Sequence, residues 1–168
     1  MTSDLLNPTT LAVLRNTPMA LRAFTSGVPE EVLRFAPAEG EWSIHDVVAH
    51  LLDRHRIQVG RVRSVVEEDR PAIPDVPEQE SLEASGLRSE SLLANLAAFA
   101  AERAADVPWL ASLDAAALAR VGVHSVAGEI SAANLINHQA HHDAQHLGQI
   151  AHLLELATSA GRGNLAVF

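Results

Sequence analysis

The 168 residues predict an all-α protein: a four-helix bundle with one long crossover connection. Three observations carry this. Four long stretches repeat their apolar residues with a period of 3.6. Apolar residues make up 48% of the chain and aromatics only 4%, with Tyr absent, which favours helices packed on helices over a sheet. A proline- and acid-rich segment at 69–86 is long enough to cross one end of a bundle or to cover it as a lid.

The elements follow in order. The first helix is expected over 8–25, stopped by the Gly and Pro of "SGVP". "PEEVLRF" reads as a short helical turn and "APAEGEW" as a loop. The second helix is expected over 43–68. Ser43 is a good N-cap, because its hydroxyl can accept from a free N–H of the first turn, and Asp46 lies at the capping-box position three residues on. "DRPAIPDVPEQESLEASG" holds three prolines and several acids and reads as loop rather than strand or helix. The third helix is expected over 89–105. After it come a turn at "DVPW", a short helix from about Asp114, and an irregular stretch. The fourth helix is expected over 131–158. The tail "SAGRGNLAVF" opens with helix-ending glycine, and its apolar end is expected to dock on the body or on a second copy. No repeat or break divides the chain, so one domain is expected over 1–168.

Charge and composition exclude several classes of function. Twelve Lys and Arg against 21 Asp and Glu give a net charge of −9. An acidic balance without a basic patch argues against nucleic acid and anionic membrane surfaces, which need a positive face. The chain has no cysteine, so it holds neither a disulfide nor a thiolate ligand. "MTSDLLNPTT" lacks the basic and apolar regions of a signal peptide, and no run of about eighteen apolar residues exists. A cytoplasmic protein acting on a small molecule is the expectation.

Five of the nine histidines fall within "NHQAHHDAQHLGQIAH". At about 100° per residue, with His142 at zero, His146 lies near +40°, His138 near −40° and Gln149 near −20°. These form one stripe beside the apolar arc of the fourth helix. His141 and His152 fall well away and are expected towards solvent. A histidine pair at i and i+4 on an inward face can reach one metal ion, or it can form part of a layer of neutral, hydrogen-bonded imidazoles. The second helix offers a third candidate ligand in His50, at the edge of its apolar arc. Asp46 and Asp53 flank His50, and either could orient its imidazole or act as a fourth ligand or base. His45 and His55 are expected at the surface, and His124 carries no signal. Gln149 could hydrogen-bond a ligand imidazole or a substrate, and His138 could support the cluster. Gly148 is expected to admit a close neighbouring helix, and Trp42 to anchor packing at the bundle end.

With both histidine segments placed, the chain resembles the DinB-like superfamily. "EWSIHDVVAHLLDRH" is similar to that family's W-S-x-x-(D/E)-x-x-x-H-L pattern through Trp42, Ser43, Asp46, His50 and Leu51. "HDAQHLGQI" is similar to its H-D-x-x-H-x-G-Q-I pattern through His142, Asp143, His146, Gly148, Gln149 and Ile150. The resemblance implies a divalent metal, zinc or nickel foremost, held by His50, His142 and His146. It also implies a homodimer, damage-inducible or stress-linked expression, and transfer of a low-molecular-weight thiol to an electrophilic small molecule. Asp53 and Gln149 are the candidate catalytic residues beside the metal. Two alternatives stand: a hydrolase using metal-activated water, and a non-catalytic bundle stabilised by its metal. Leu147 stands where many relatives carry Arg; Arg54 and Arg61, on the His50 side of the second helix, could replace that charge.

Overall fold

The computed structural model describes residues 5–158. Four long helices form the bundle: α1 (Thr10–Thr25), α3 (Ile44–Glu67), α5 (Leu92–Ser112) and α7 (Ala132–Thr158). Between them lie α2 (Glu30–Leu33), β1 (Ala72–Ile73), α4 (Glu78–Ser85), a 3-10 turn (Leu87–Ser89), α6 (Ala115–Ala119), β2 (Val121–His124) and β3 (Gly128–Ser131). Both α1 and α3 pack against α5 and α7. The first two long helices therefore face each other across the bundle diagonal, and the long connection after α3 leads into a neighbouring helix. The expected tail contact of 159–168 lies outside the described residues.

The cap predicted at Ser43 is present. Asp46 N donates to the Ser43 hydroxyl, and Asp46 Oδ2 accepts from Ser43 N at 3.0 Å, forming a reciprocal capping box at the start of α3. At the start of α7, Asn134 N donates to Ser131 Oγ at 3.1 Å. The core has two centres. One gathers Leu21, Ile44, Leu51, Phe99 and Ile150 near the histidines. The other gathers Leu14, Val62, Val107, Leu110 and Ile136 at the opposite end.

Three expectations are corrected. The segment 69–86 is not all loop: it holds β1 and α4, and Ile73 and Leu82 are buried. The stretch after α6 is a β-hairpin. β2 pairs antiparallel with β3 and parallel with β1, in the order β1-β2-β3. This small sheet needs Gly122. A Cβ there would lie 2.8 Å from Ile73 Cδ1, 2.9 Å from Val65 Cγ2 and 3.0 Å from the Pro71 carbonyl oxygen, so only glycine lets the hairpin lie against α3. Finally, the third long helix does not stop at 105 but runs through Pro108 to Ser112. Pro108 forfeits one backbone hydrogen bond, but continuing the helix buries Val107 and Leu110 and sets Trp109 under the Arg63 guanidinium at 4.2 Å.

Candidate metal centre

α3 delivers His50, and α7 delivers His142 and His146 one turn apart. His50 is fully buried; the other two are partly buried. His50 Nε2 lies 3.1 Å from His142 Nε2, and His142 Nε2 lies 3.2 Å from His146 Nε2. Among the described residues these three form a group that could hold a metal ion, their ligand atoms all within 4.8 Å of one another. A tetrahedral ion with nitrogen ligands at about 2.0–2.1 Å requires ligand atoms about 3.3 Å apart, close to these two separations.

Protonation agrees with this fit. Gln149 Oε1 accepts from His146 Nδ1 at 2.7 Å, so the His146 proton sits on Nδ1 and a lone pair on Nε2 faces the cluster. Burial, followed by the charges of His146, His142 and Arg54, pushes His50 from 6.5 down to about 2. Burial, followed by His146, His138, Arg54 and Arg103, pushes His142 down to about 3. His50 and His142 are thus kept neutral, the form in which imidazole binds a metal. Trp42 closes one side, with ring centroids 4.5 Å from His50 and 6.3 Å from His146. It therefore lies on the histidines as well as anchoring the bundle end.

The other candidates fall out differently. Asp53 is buried, but its Oδ2 accepts from Arg54 Nη2 at 3.1 Å and from the Ser81 hydroxyl at 2.7 Å. His50 Nδ1 is buried with no hydrogen-bond partner among the described residues, so neither Asp53 nor Asp46 orients it. Asp46 is taken up by the cap and by Arg88 Nε at 2.8 Å. His138 is exposed, 6.1 Å from His142 between ring centroids. His141 and His152 are exposed as expected. Gly148 is also exposed, and a Cβ there would meet nothing within 4 Å. The expected close helix contact at Gly148 is absent.

His45 and His55 are each only 1% exposed, against the expectation that both sit at the surface. His45 Nε2 donates to the Glu90 carbonyl oxygen at 2.9 Å. His55 belongs to a buried network that the sequence did not reveal. Its Nδ1 accepts from Arg103 Nε at 2.9 Å and from Gln139 Nε2 at 3.0 Å. That places its proton on Nε2, 3.1 Å from Asp106 Oδ2. Arg103 also pairs with Asp143 through Nη2–Oδ1 at 2.9 Å and Nη1–Oδ2 at 2.8 Å, and donates to the Leu14 carbonyl at 3.1 Å. Asp143 of the "HDAQH" motif thus fixes the face of α7 that carries His142. The one available signal was a charged residue within an apolar helix, "AAFAAERAA". Glu78 was also missed: the first turn of α4 brings its Oε1 within 3.8 Å of His142 Nε2.

The model of the DinB superfamily matches residues 14–150. The chain belongs to the DinB superfamily. A protein of Geobacillus thermodenitrificans (strain NG80-2) named "Putative metal-dependent hydrolase" is 34% identical over 79 residues. That match covers 47% of this chain and 44% of the relative, so it spans less than half of each. A solved structure described as "YfiT from Bacillus subtilis is a probable metal-dependent hydrolase with an unusual four-helix bundle topology" aligns with a TM-score of 0.78 at 22% identity, over 86% of this chain and 83% of that one. At that identity the likeness shows the four-helix fold alone. No helix among the described residues is long and apolar enough to cross a membrane.

Proposed function

We propose that this DinB-superfamily chain is a divalent-metal-dependent hydrolase of a small molecule, with His50, His142 and His146 as ligands and zinc or nickel as the metal. The observation that carries the reading is the convergence of three imidazole nitrogens, two pairs of them at 3.1 and 3.2 Å, in a partly buried site that keeps His50 and His142 neutral. Three neutral ligands leave an ion its full charge and an open position, the pattern of a catalytic rather than a structural site. Such an ion supplies Lewis-acid charge for polarising a carbonyl or acidifying water.

The chain's own residues have distinct tasks. Gln149 orients His146. Trp42 shields the cluster from water on one side. Asp53 acts through Arg54 and Ser81 rather than through His50, which makes it a support for the pocket wall rather than a base. Glu78, with Oε1 3.8 Å from His142 Nε2, would be the nearest carboxylate to accept a proton beside the cluster. All three imidazoles come from one chain, so the site does not require the second copy that the family resemblance implies. Thiol transfer, the first expectation from that resemblance, has no residue that selects it. The absence of cysteine fits both chemistries, since a thiol would come from outside, but both relatives named above are described as hydrolases.

The test combines metal content with turnover. Elemental mass spectrometry of untagged protein should find about one divalent ion per chain, lost in His50→Ala, His142→Ala and His146→Ala alike. Loaded protein should hydrolyse members of an ester and amide panel without added thiol. Turnover that appears only with a thiol would move the site to transfer chemistry. Absence of metal under replete conditions would remove the reading altogether.

A further inference from the structure

A polar cavity of about 300 Å3 opens beside the histidine cluster and shares His142 with it. Arg54 and Gln58 of α3 wall it on one side, with Arg61 one turn further along; His138 of α7 and His124 of β2 also line it. Arg54 is only 7% exposed, and its Nε has no hydrogen-bond partner among the described residues. Its other donors go to the Val76 carbonyl and to Asp53, each at 3.1 Å. Arg61 is half-buried, and its hydrogen bonds go to neutral acceptors, the Pro74 carbonyl at 2.8 Å and Gln58 Oε1 at 3.4 Å.

Two carboxylates also line the cavity, Asp75 and Glu78. Their side chains are 57% and 53% exposed, so water screens them while the guanidiniums act from drier positions. Asp75 lies 3.9 Å from His124 Nε2, and Glu78 lies 3.8 Å from His142 Nε2. The cavity wall therefore carries two guanidiniums, that of Arg54, which is paired with Asp53, and that of Arg61, which has no carboxylate within ion-pair distance among the described residues and feels Asp75 only from further off. A half-buried guanidinium bonded only to neutral acceptors, as Arg61 is, is complemented by an oxyanion.

We infer that this cavity is the anion subsite of the enzyme, and that the substrate carries a carboxylate or phosphate held by Arg54 and Arg61 while its reactive bond lies against His50, His142 and His146. The inference rests on the proposed metal-dependent reading for the position of the reactive bond, but not for the anion site itself. Arg61 and Arg54 thereby become specificity-determining residues: the cavity selects small anionic molecules over neutral ones.

Isothermal titration of metal-free protein with inorganic phosphate and with succinate tests the subsite directly. At least one of the two should bind, and the tighter one identifies the preferred group. Arg61→Gln, at a half-exposed position that the fold tolerates, should weaken that binding about tenfold or more, the loss expected for one charge-assisted contact. Arg54→Met should abolish it, with circular dichroism reporting whether the fold survives. Zinc content of the Arg61→Gln protein should equal that of the parent. Failure of both anions to bind would overturn the subsite. So would unchanged binding in Arg61→Gln, or binding that appears only after zinc loading and survives that substitution. Anion binding in a protein that takes up no metal would leave the subsite standing while the metal-dependent reading fell.

Discussion

At the scale of single residues, neighbours decide what each histidine does. His50 and His55 sit five positions apart on α3, and both are buried. One meets two imidazoles and an indole; the other meets an arginine and a carboxylate. Helical angle gave His142, His146 and Gln149 their shared face, so that part of the site was legible from spacing. It could not reveal that Asp53 turns to Arg54 and Ser81 while His50 Nδ1 is left without a partner, because those choices depend on where α4 lands. The Gln149 contact leads to a prediction. Gln149→Leu removes the acceptor that fixes the His146 tautomer, so metal affinity should fall about 10–100-fold. Circular dichroism should stay unchanged, and competition with a chelator of known affinity would measure the loss.

At the scale of elements, a buried polar network joins all four long helices within the apolar interior. Arg103 of α5 touches α1 through the Leu14 carbonyl, α3 through His55 and α7 through Asp143. Arg103→Met should leave the Asp143 charge buried and unpaired, at a cost of about 3–5 kcal/mol. The double variant with Asp143→Asn should recover part of that in urea denaturation. The hairpin has its own sensitive point at Gly122. Gly122→Ala would press a methyl group onto Val65, Ile73 and the Pro71 carbonyl, and overpacking of this kind costs about 1–3 kcal/mol. A lower urea midpoint with an unchanged slope would be the signature. Neither element was legible beforehand. Short strands and an eight-residue helix lack enough periods to stand out from loop, and the prolines at 71, 74 and 77 read as breaks although each lies at the edge of an element.

For the whole molecule, pH is the simplest probe of these buried bases. The folded protein holds His55 down at about 4 through burial and the Arg103 charge, against an ordinary 6.5. His50 and His142 are shifted in the same direction, to about 2 and about 3. Below about pH 6.5 the unfolded chain therefore binds protons that the metal-free folded chain refuses. Stability should be fully present above that pH and should fall as pH drops towards 4, by up to about 1.4 kcal/mol per pH unit for each such histidine. Urea midpoints of metal-free protein between pH 7 and 4 would measure the slope, and His55→Gln should flatten it in part. The sequence by itself determined the four-helix architecture and the stripe that unites His142, His146 and Gln149, because both follow from the 3.6-residue period within single helices. Only the tertiary structure decided which buried charges meet. His50 reaches His142 across 92 positions of chain, Arg103 reaches Asp143 across 40, and Arg54 and Arg61 line the same cavity as His138. These contacts join different helices, and their partners are set by how the helices pack around one another.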